Sequence, residues 1–440
     1  MQMNDMVMVS VDDHVIEPPD MFRHHTPHSL AGRMPHVATI GRGEAWVFEG
    51  RVIPNLALNA VVGRRPEEYG FEPTSLAQCR KGCWDPAARV EDMNADGYLA
   101  ALNYPSWCGL AGQVYSAAKD LDYACRVMQA HNDYYLDEWC AAHPGRFIPN
   151  AMVPFWDPAL AAKEIRRVHE KGCNSIMLLA NPVASGLPSW HQPYWDPIFD
   201  ACEEMDIVVN LHISDASTAA PGPDSAVDAF LTCMGVTLYT TGVDLVFSPV
   251  MHKWKKFRIC LAEGGGGWVP SAMDRMDYIY KRHRCWTNQD FGDRMPSEVF
   301  RERFLFCVVD DPIAIRNRDV IGVPSMVWEN DYPHAEATWP RSPEHLWEVV
   351  KDIPDAEIDA ITHANALRAY RFDAFAHRPR ARAGVGALRA EATHVDRGYL
   401  PAGNGIPPAR GGQGYVTMRD CAAQMGEAYT LNLGKSAAAG

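Results

Sequence analysis

Asp12, His14 and Glu17 form the first group of side chains able to hold a metal ion, in the segment Ser10-Val11-Asp12-Asp13-His14-Val15-Ile16-Glu17. Carboxylate, imidazole and carboxylate are donors suited to a divalent ion such as Zn, Mn or Fe. The apolar run Met6-Val7-Met8-Val9 in front of them reads as a short buried strand. Side chains two apart on a strand share a face, so Asp12 and His14 project together from its C-terminal end. Glu17 follows where Pro18-Pro19 turns the chain into a loop. Three later apolar runs end in the same kind of residue: 207–211 in His212, 257–262 in Glu263 and 325–330 in Asp331, with His334 three positions on.

These donors have more than one possible job. Asp331 can ligate the ion directly or accept the proton of a metal-bound water, and one carboxylate oxygen can serve each role. His14 and His212 would bind as neutral imidazoles. Glu17 and Glu263 complete a second metal position or hydrogen-bond a ligating imidazole. His334 binds a second ion, donates to substrate or caps a loop. Four carboxylates against three histidines suit Mn or Fe as much as Zn. His283 is a candidate substrate contact. Arg282 beside it is either a second one or a cation at a helix C-terminus. Gly264-Gly265-Gly266-Gly267 lacks the spacing and the following Lys-Ser/Thr of a phosphate loop, so it reads as a tight turn. Trp107, Trp190, Trp268 and Trp339 can line an apolar pocket or pack the core.

The elements that must position these residues follow a rhythm. Apolar strands are expected at 99–104, 147–153, 175–179, 207–212, 257–263, 304–309 and 325–331, with helices between them near 89–95, 117–143, 157–171, 195–205, 226–243 and 269–284. With the first strand that makes eight β/α units, which predicts a parallel sheet closed as a (β/α)8 TIM barrel. Such barrels carry their chemistry at the C-terminal ends of the strands, where all four donor-bearing runs end. Residues 18–88 read as a small capping insertion of loops with a hairpin turning at Glu49-Gly50. The barrel unit is expected over 1–377, and 378–440 as an extension that wraps a neighbour or stays mobile.

The chain has 440 residues, 47% of them hydrophobic, and a net charge of −14. That charge argues against nucleic acid or an anionic membrane as partner. Twelve cysteines and no visible signal segment suggest reduced thiols and a cytoplasmic setting. Cys79 and Cys83 have no second pair to complete a zinc knuckle, and no Gly-x-Ser-x-Gly elbow is present.

Taken together, four blocks resemble the amidohydrolase-related branch of the amidohydrolase superfamily, the branch that includes aminocarboxymuconate-semialdehyde decarboxylase. They are residues 10–20, Leu211-His212, Leu261-Ala262-Glu263-Gly264-Gly265 with Gly267-Trp268, and Trp328-Glu329-Asn330-Asp331-Tyr332-Pro333-His334. The resemblance implies a (β/α)8 barrel with a metal held by Asp12, His14, His212 and Asp331. The opening Asp12-x-His14 departs from the commoner His-x-His of the superfamily. Relatives with the Asp-x-His-x-x-Glu opening resemble dinuclear iron or iron–manganese oxygenases similar to aminoisobutyrate hydroxylase, which would make Glu17 and His334 ligands of a second ion. The leading expectation is hydrolysis of a small organic substrate by a metal-activated water. Non-oxidative decarboxylation of an aromatic or unsaturated acid, dinuclear oxygenation and a catalytically silent partner subunit are the alternatives. A homo- or hetero-oligomer with related barrel subunits is expected.

Overall fold

The first strand and the last meet, although about 320 residues separate them. In this computed structural model, which describes residues 1–429 except 42, 55, 58, 71–72, 214–221 and 401–413, β1 runs from Val9 to His14. It therefore begins where the apolar run ends, and Asp12 and His14 lie within the strand. Asp331 N donates to Asp12 O at 2.7 Å and His14 N donates to Tyr332 O at 2.6 Å. Ser10 Oγ accepts from Asn330 N at 2.9 Å.

The capping insertion holds a three-stranded antiparallel sheet, β2 (His36–Ile40), β3 (Gly43–Phe48) and β4 (Arg51–Ile53). The hairpin turn falls at Glu49-Gly50, as expected, and β2 adds a strand beyond that hairpin. The parallel strands follow: β5 (Ala100–Tyr104), β6 (Phe147–Ile148), β7 (Ala151–Met152), β8 (Ser175–Leu178), β9 (Val208–His212), β10 (Arg258–Ala262), β11 (Phe304–Val308) and β12 (Met326–Trp328). They lie in two sheets, β1-β5-β6 and β12-β11-β10-β9-β8-β7. The segment 147–152 belongs to both, pairing with β5 through Phe147 and Ile148 and with β8 through Ala151 and Met152. The expected single strand there is thus split at Pro149-Asn150, because proline cannot donate to a ladder. Hydrogen bonds between β1 and residues 330–332 link the first sheet to the chain segment that follows β12.

Helices cover the outer side. Asp157 caps the helix Pro158–Glu170 through the amides of Ala159 and Leu160, and Asp85 caps Pro86–Asp96 through Ala88 N. The apolar stretch 227–247 has the length and composition to cross a membrane. It forms two helices, Val227–Cys233 and Val236–Phe247, and the second buries Thr237, Leu238, Leu245 and Val246. A methyl at Gly242 would stand 3.1 Å from the Phe300 ring, which explains a glycine at that crossing.

Part of the C-terminal extension packs on its own chain. The helix Val385–Glu391 buries Val385 and Leu388, and Val385 N donates to Met6 O at 2.9 Å. Arg389 grips both carboxylate oxygens of Glu344 at 2.7 and 2.8 Å. The Gly- and Pro-rich stretch 401–413 and the tail from 430 lie outside the described residues. All twelve cysteines are free thiols.

Candidate metal centre

β1 carries an irregularity that aims its side chains. Val9 and Ser10 pair with Ala100 and Ala101, but Asp13 and His14 pair with Asn103 and Tyr104, so β1 holds one extra residue in between. This is a β-bulge, a common device for re-aiming a side chain beside a site. Ser10 Oγ fastens it by donating to Asp12 O and Asp13 Oδ1. Asp13 turns away from the donor cluster and accepts from Tyr98 OH at 3.0 Å, with Arg89 Nη1 at 3.5 Å. Burial pushes its carboxyl up to about 7 against the pull of Arg89. Arg89 also donates to the backbone carbonyls of His14 and Gly82, which locks the strand end.

Inside, the donors converge. His212 Nε2 lies 3.2 Å from both Asp12 Oδ2 and Glu263 Oε2. His14 Nε2 lies 3.4 Å from Asp12 Oδ1 and 3.2 Å from Asp331 Oδ1. His334 Nδ1 is 2.8 Å from Asp331 Oδ1, and its ring lies over that of His14 with centroids 3.9 Å apart. Two ligand-competent groups result, Asp12–His14–His212–Glu263 and His14–Asp331–His334, joined through His14. Tyr104 forms the wall beneath them, its ring 4.8 Å from that of His212.

The donor atoms point at one another without hydrogen-bond alignment. Both carboxylate oxygens of Asp12 and of Asp331, both nitrogens of His14, and Nε2 of His212 and His334 are buried with no hydrogen-bond partner. Each such group ordinarily costs about 1–3 kcal/mol. A cation removes that cost, so the donor set fits a divalent ion. His212 Nδ1 lies 2.9 Å from Ile213 O, which keeps the proton there and leaves Nε2 free to ligate. Glu263 and Asp331 both have left-handed backbones, φ 57° and 59°, at strand ends. Conformations of that kind cost about 1–3 kcal/mol and collect at functional sites.

Titration follows the crowding. Burial pulls the His14 imidazole down, but Asp12 and Asp331 more than offset it and raise it to about 9. Burial, then Asp331 and Asp12, drives the Glu263 carboxyl well above its usual range. Asp331 is held low despite burial by His334 and His14. Burial lowers His334, against the pull of Asp331.

Glu17 does not join this cluster. Its oxygens accept from Ser106 N at 2.9 Å and Trp107 N at 3.3 Å, and Oε1 lies 3.6 Å from His131 Nε2. It groups instead with Cys108 and His131, while Tyr115 OH is 2.9 Å from His131 Nδ1. Burial raises Glu17 to about 7 and lowers His131 to about 3, so the imidazole is neutral. Glu17 and His131 line a cavity with room for about one water. Cys108, His131 and Tyr115 were not anticipated. The signal was there for His131, which shares the buried face of its helix with Ala124, Val127 and Met128.

Arg282 and His283 are not drawn into the site. They lie near the C-terminal end of the helix Val269–Thr287, where Arg282 is exposed over the Tyr278 ring and His283 accepts from Trp286 Nε1. Of the four tryptophans, Trp107 stacks on Trp46 of the cap and Trp190 packs on Trp195. Trp268 donates to Gly264 O, and Trp339 donates to Asp92 O. The four-glycine turn is held by Asp311, whose Oδ2 accepts from Gly266 N and Gly267 N.

The amidohydrolase family model matches residues 24–372. The chain belongs to the amidohydrolase family. The match begins after Asp12 and His14, so their candidacy as ligands rests on the geometry. An amidohydrolase from Mycobacterium avium subsp. paratuberculosis K-10 is similar in fold at 19% identity, covering 83% of this chain and 99% of that one, with a TM-score of 0.64. The 5-carboxyvanillate decarboxylase of Sphingomonas paucimobilis is similar at 20% identity, covering 84% and 100%, with a TM-score of 0.59. That of Novosphingobium aromaticivorans, complexed with manganese and 4-hydroxy-3-methoxy-5-nitrobenzoic acid, is similar at 18% identity, covering 84% and 100%, with a TM-score of 0.58. This chain is thus an amidohydrolase-family enzyme whose described residues include two groups able to hold a divalent metal.

Proposed function

We propose that this enzyme is a metal-dependent, non-oxidative decarboxylase of a small aromatic or unsaturated acid, built on a closed eight-stranded barrel. One observation carries the reading: buried, unpartnered donors from β1, β9 and the segment after β12 converge on one point beside the Asp331–His334 pair. Likeness along the whole length of two 5-carboxyvanillate decarboxylases favours this chemistry over the hydrolysis first expected. Asp12, His14, His212 and Asp331 would hold the ion, with Glu263 at its edge. A bound divalent ion supplies Lewis-acid polarisation of the substrate's carboxylate and neighbouring hydroxyl oxygens. The bond between ring carbon and carboxylate breaks, its electron pair stays on the ring carbon, and carbon dioxide leaves. Asp331 and His334, 2.8 Å apart, would pass a proton drawn from solvent to that ring carbon, which forms the new C–H bond. No water is consumed.

Hydrolysis uses the same residues with Asp331 as proton acceptor, and family membership keeps it as the second reading. Dinuclear oxygenation needs Glu17 as a ligand, and Glu17 is occupied by two backbone amides. A complete donor set argues against a silent subunit. Manganese-loaded protein offered a panel of ortho-hydroxybenzoates tests the proposal. Stoichiometric carbon dioxide, with no oxygen-18 taken from labelled water, supports it. No carbon dioxide from any member, with labelled oxygen entering amides, esters or lactones, overturns it.

A further inference from the structure

Glu329 is fully buried one residue beyond β12, and neither the proposed ligand set nor the proton transfer uses it. Its backbone amide donates to Val308 O at 3.2 Å, at the end of β11. Its side chain reaches past β11 to the end of β10, where Oε2 accepts from Glu263 N at 3.0 Å. Oε1 is buried with no hydrogen-bond partner. Packing alone does not favour a carboxyl at this place, because an apolar side chain of similar size would leave no oxygen unpartnered.

The Glu263 amide depends on that oxygen. The ladder from β10 to β11 ends at Leu261 opposite Phe306, and the ladder to β9 ends at Ala262 opposite His212, so strand pairing stops one residue short of Glu263. Its φ of 57° is a conformation that a residue other than glycine keeps only where its surroundings hold it. On the other side, Trp268 Nε1 donates to Gly264 O at 2.8 Å. With its peptide held at both ends, Glu263 sets Oε2 at 3.2 Å from His212 Nε2.

We infer that Glu329 is a positioning residue of the metal centre: by holding the Glu263 amide it fixes where the Glu263 carboxylate meets the ion. It touches neither ion nor substrate. The inference rests on the metal centre proposed above, and is independent of the reaction performed there. Hydrogen bonds that orient the donors of a metal change its affinity by about 10–100-fold.

Competition titration of manganese against a metallochromic chelator, on the full chain, tests it. Glu329→Met removes the acceptor and is expected to weaken manganese binding by about tenfold or more. Glu329→Gln keeps an oxygen for the Glu263 amide and is expected to stay within about threefold of the wild type. The deciding measurement repeats Glu329→Met in a Glu263→Ala background, where no carboxylate is left to position. There the added loss is expected to fall below about twofold, whereas a purely structural role would give the same loss in both backgrounds. Glu329→Asp, which draws the oxygen back by one methylene, serves in both backgrounds should the methionine variant fail to fold. Far-ultraviolet circular dichroism of the metal-free proteins shows that each is folded. A wild type that binds manganese and is indifferent to both Glu329→Met and Glu329→Asp overturns this inference alone, as does an equal loss in the two backgrounds. A wild type that binds no manganese overturns the metal centre, and this inference with it.

Discussion

Metal binding to this cluster is expected to expel the proton of His14. In the metal-free protein, Asp12 at 3.4 Å and Asp331 at 3.2 Å outweigh burial and lift His14 to about 9. At pH 7.5 such an imidazole is about 97% protonated. Glu263 is raised too, by burial and then by Asp331 and Asp12. The His14 proton must leave before that nitrogen can ligate. Titration of manganese by calorimetry at pH 7.5, repeated in buffers of different ionisation enthalpy, is therefore expected to show release of the His14 proton. Each released proton makes the apparent dissociation constant rise about tenfold per unit of falling pH, or about 1.4 kcal/mol. The metal-free fold shows the opposite face of the same shift. A folded value above the ordinary 6.5 means His14 stabilises below about pH 6.5, by on the order of 3 kcal/mol, and the contribution is lost as pH rises through about 9. Release of no protons by the wild type at pH 7.5 would refute this electrostatic account.

Asp331→Asn is expected to cut turnover by about 10²–10⁴-fold, the range of a positioned proton carrier, in single-turnover assays at saturating metal. Glu17→Gln should leave the metal content per chain unchanged in elemental analysis, while weakening the pairing with Ser106 N and Trp107 N by about 1–3 kcal/mol in urea unfolding. A loss of metal in that variant would return Glu17 to the ligand set. Arg89→Met leaves the buried Asp13 carboxyl with Ser10 and Tyr98 but without a cation, and frees the carbonyls of His14 and Gly82, so a loss of about 3–5 kcal/mol is expected by the same measurement.

The strand ends were readable from the chain, because a buried parallel strand is an apolar run and a polar residue closing it stands out. His212, Glu263 and Asp331 were found on that signal alone, and the structure brings them together with Asp12 and His14. The bulge at residues 10–13 was not readable, since nothing in the alternation of β1 marks an extra residue. Nor were the left-handed backbones of Glu263 and Asp331, which carry no glycine or asparagine as a clue. Glu17 was misplaced because sequence spacing cannot show that Ser106 N and Trp107 N reach its carboxylate first. The helix Val385–Glu391 was hidden by its Ala- and Arg-rich surroundings, in which two apolar anchors, Val385 and Leu388, suffice for docking.

Hydrogen bonds from the first strand to residues 330–332 give metal loading a place in time. Ser10 and Asn330 are 320 positions apart, and Asp12 and His14 wait on partners made at the far end of synthesis. A nascent chain shorter than that carries Asp12, His14, His212 and Glu263 but neither Asp331 nor His334. Any truncation upstream of Asp331 removes the second donor group and the hydrogen bonds from residues 330–332 to β1 together, so it is expected to weaken manganese retention.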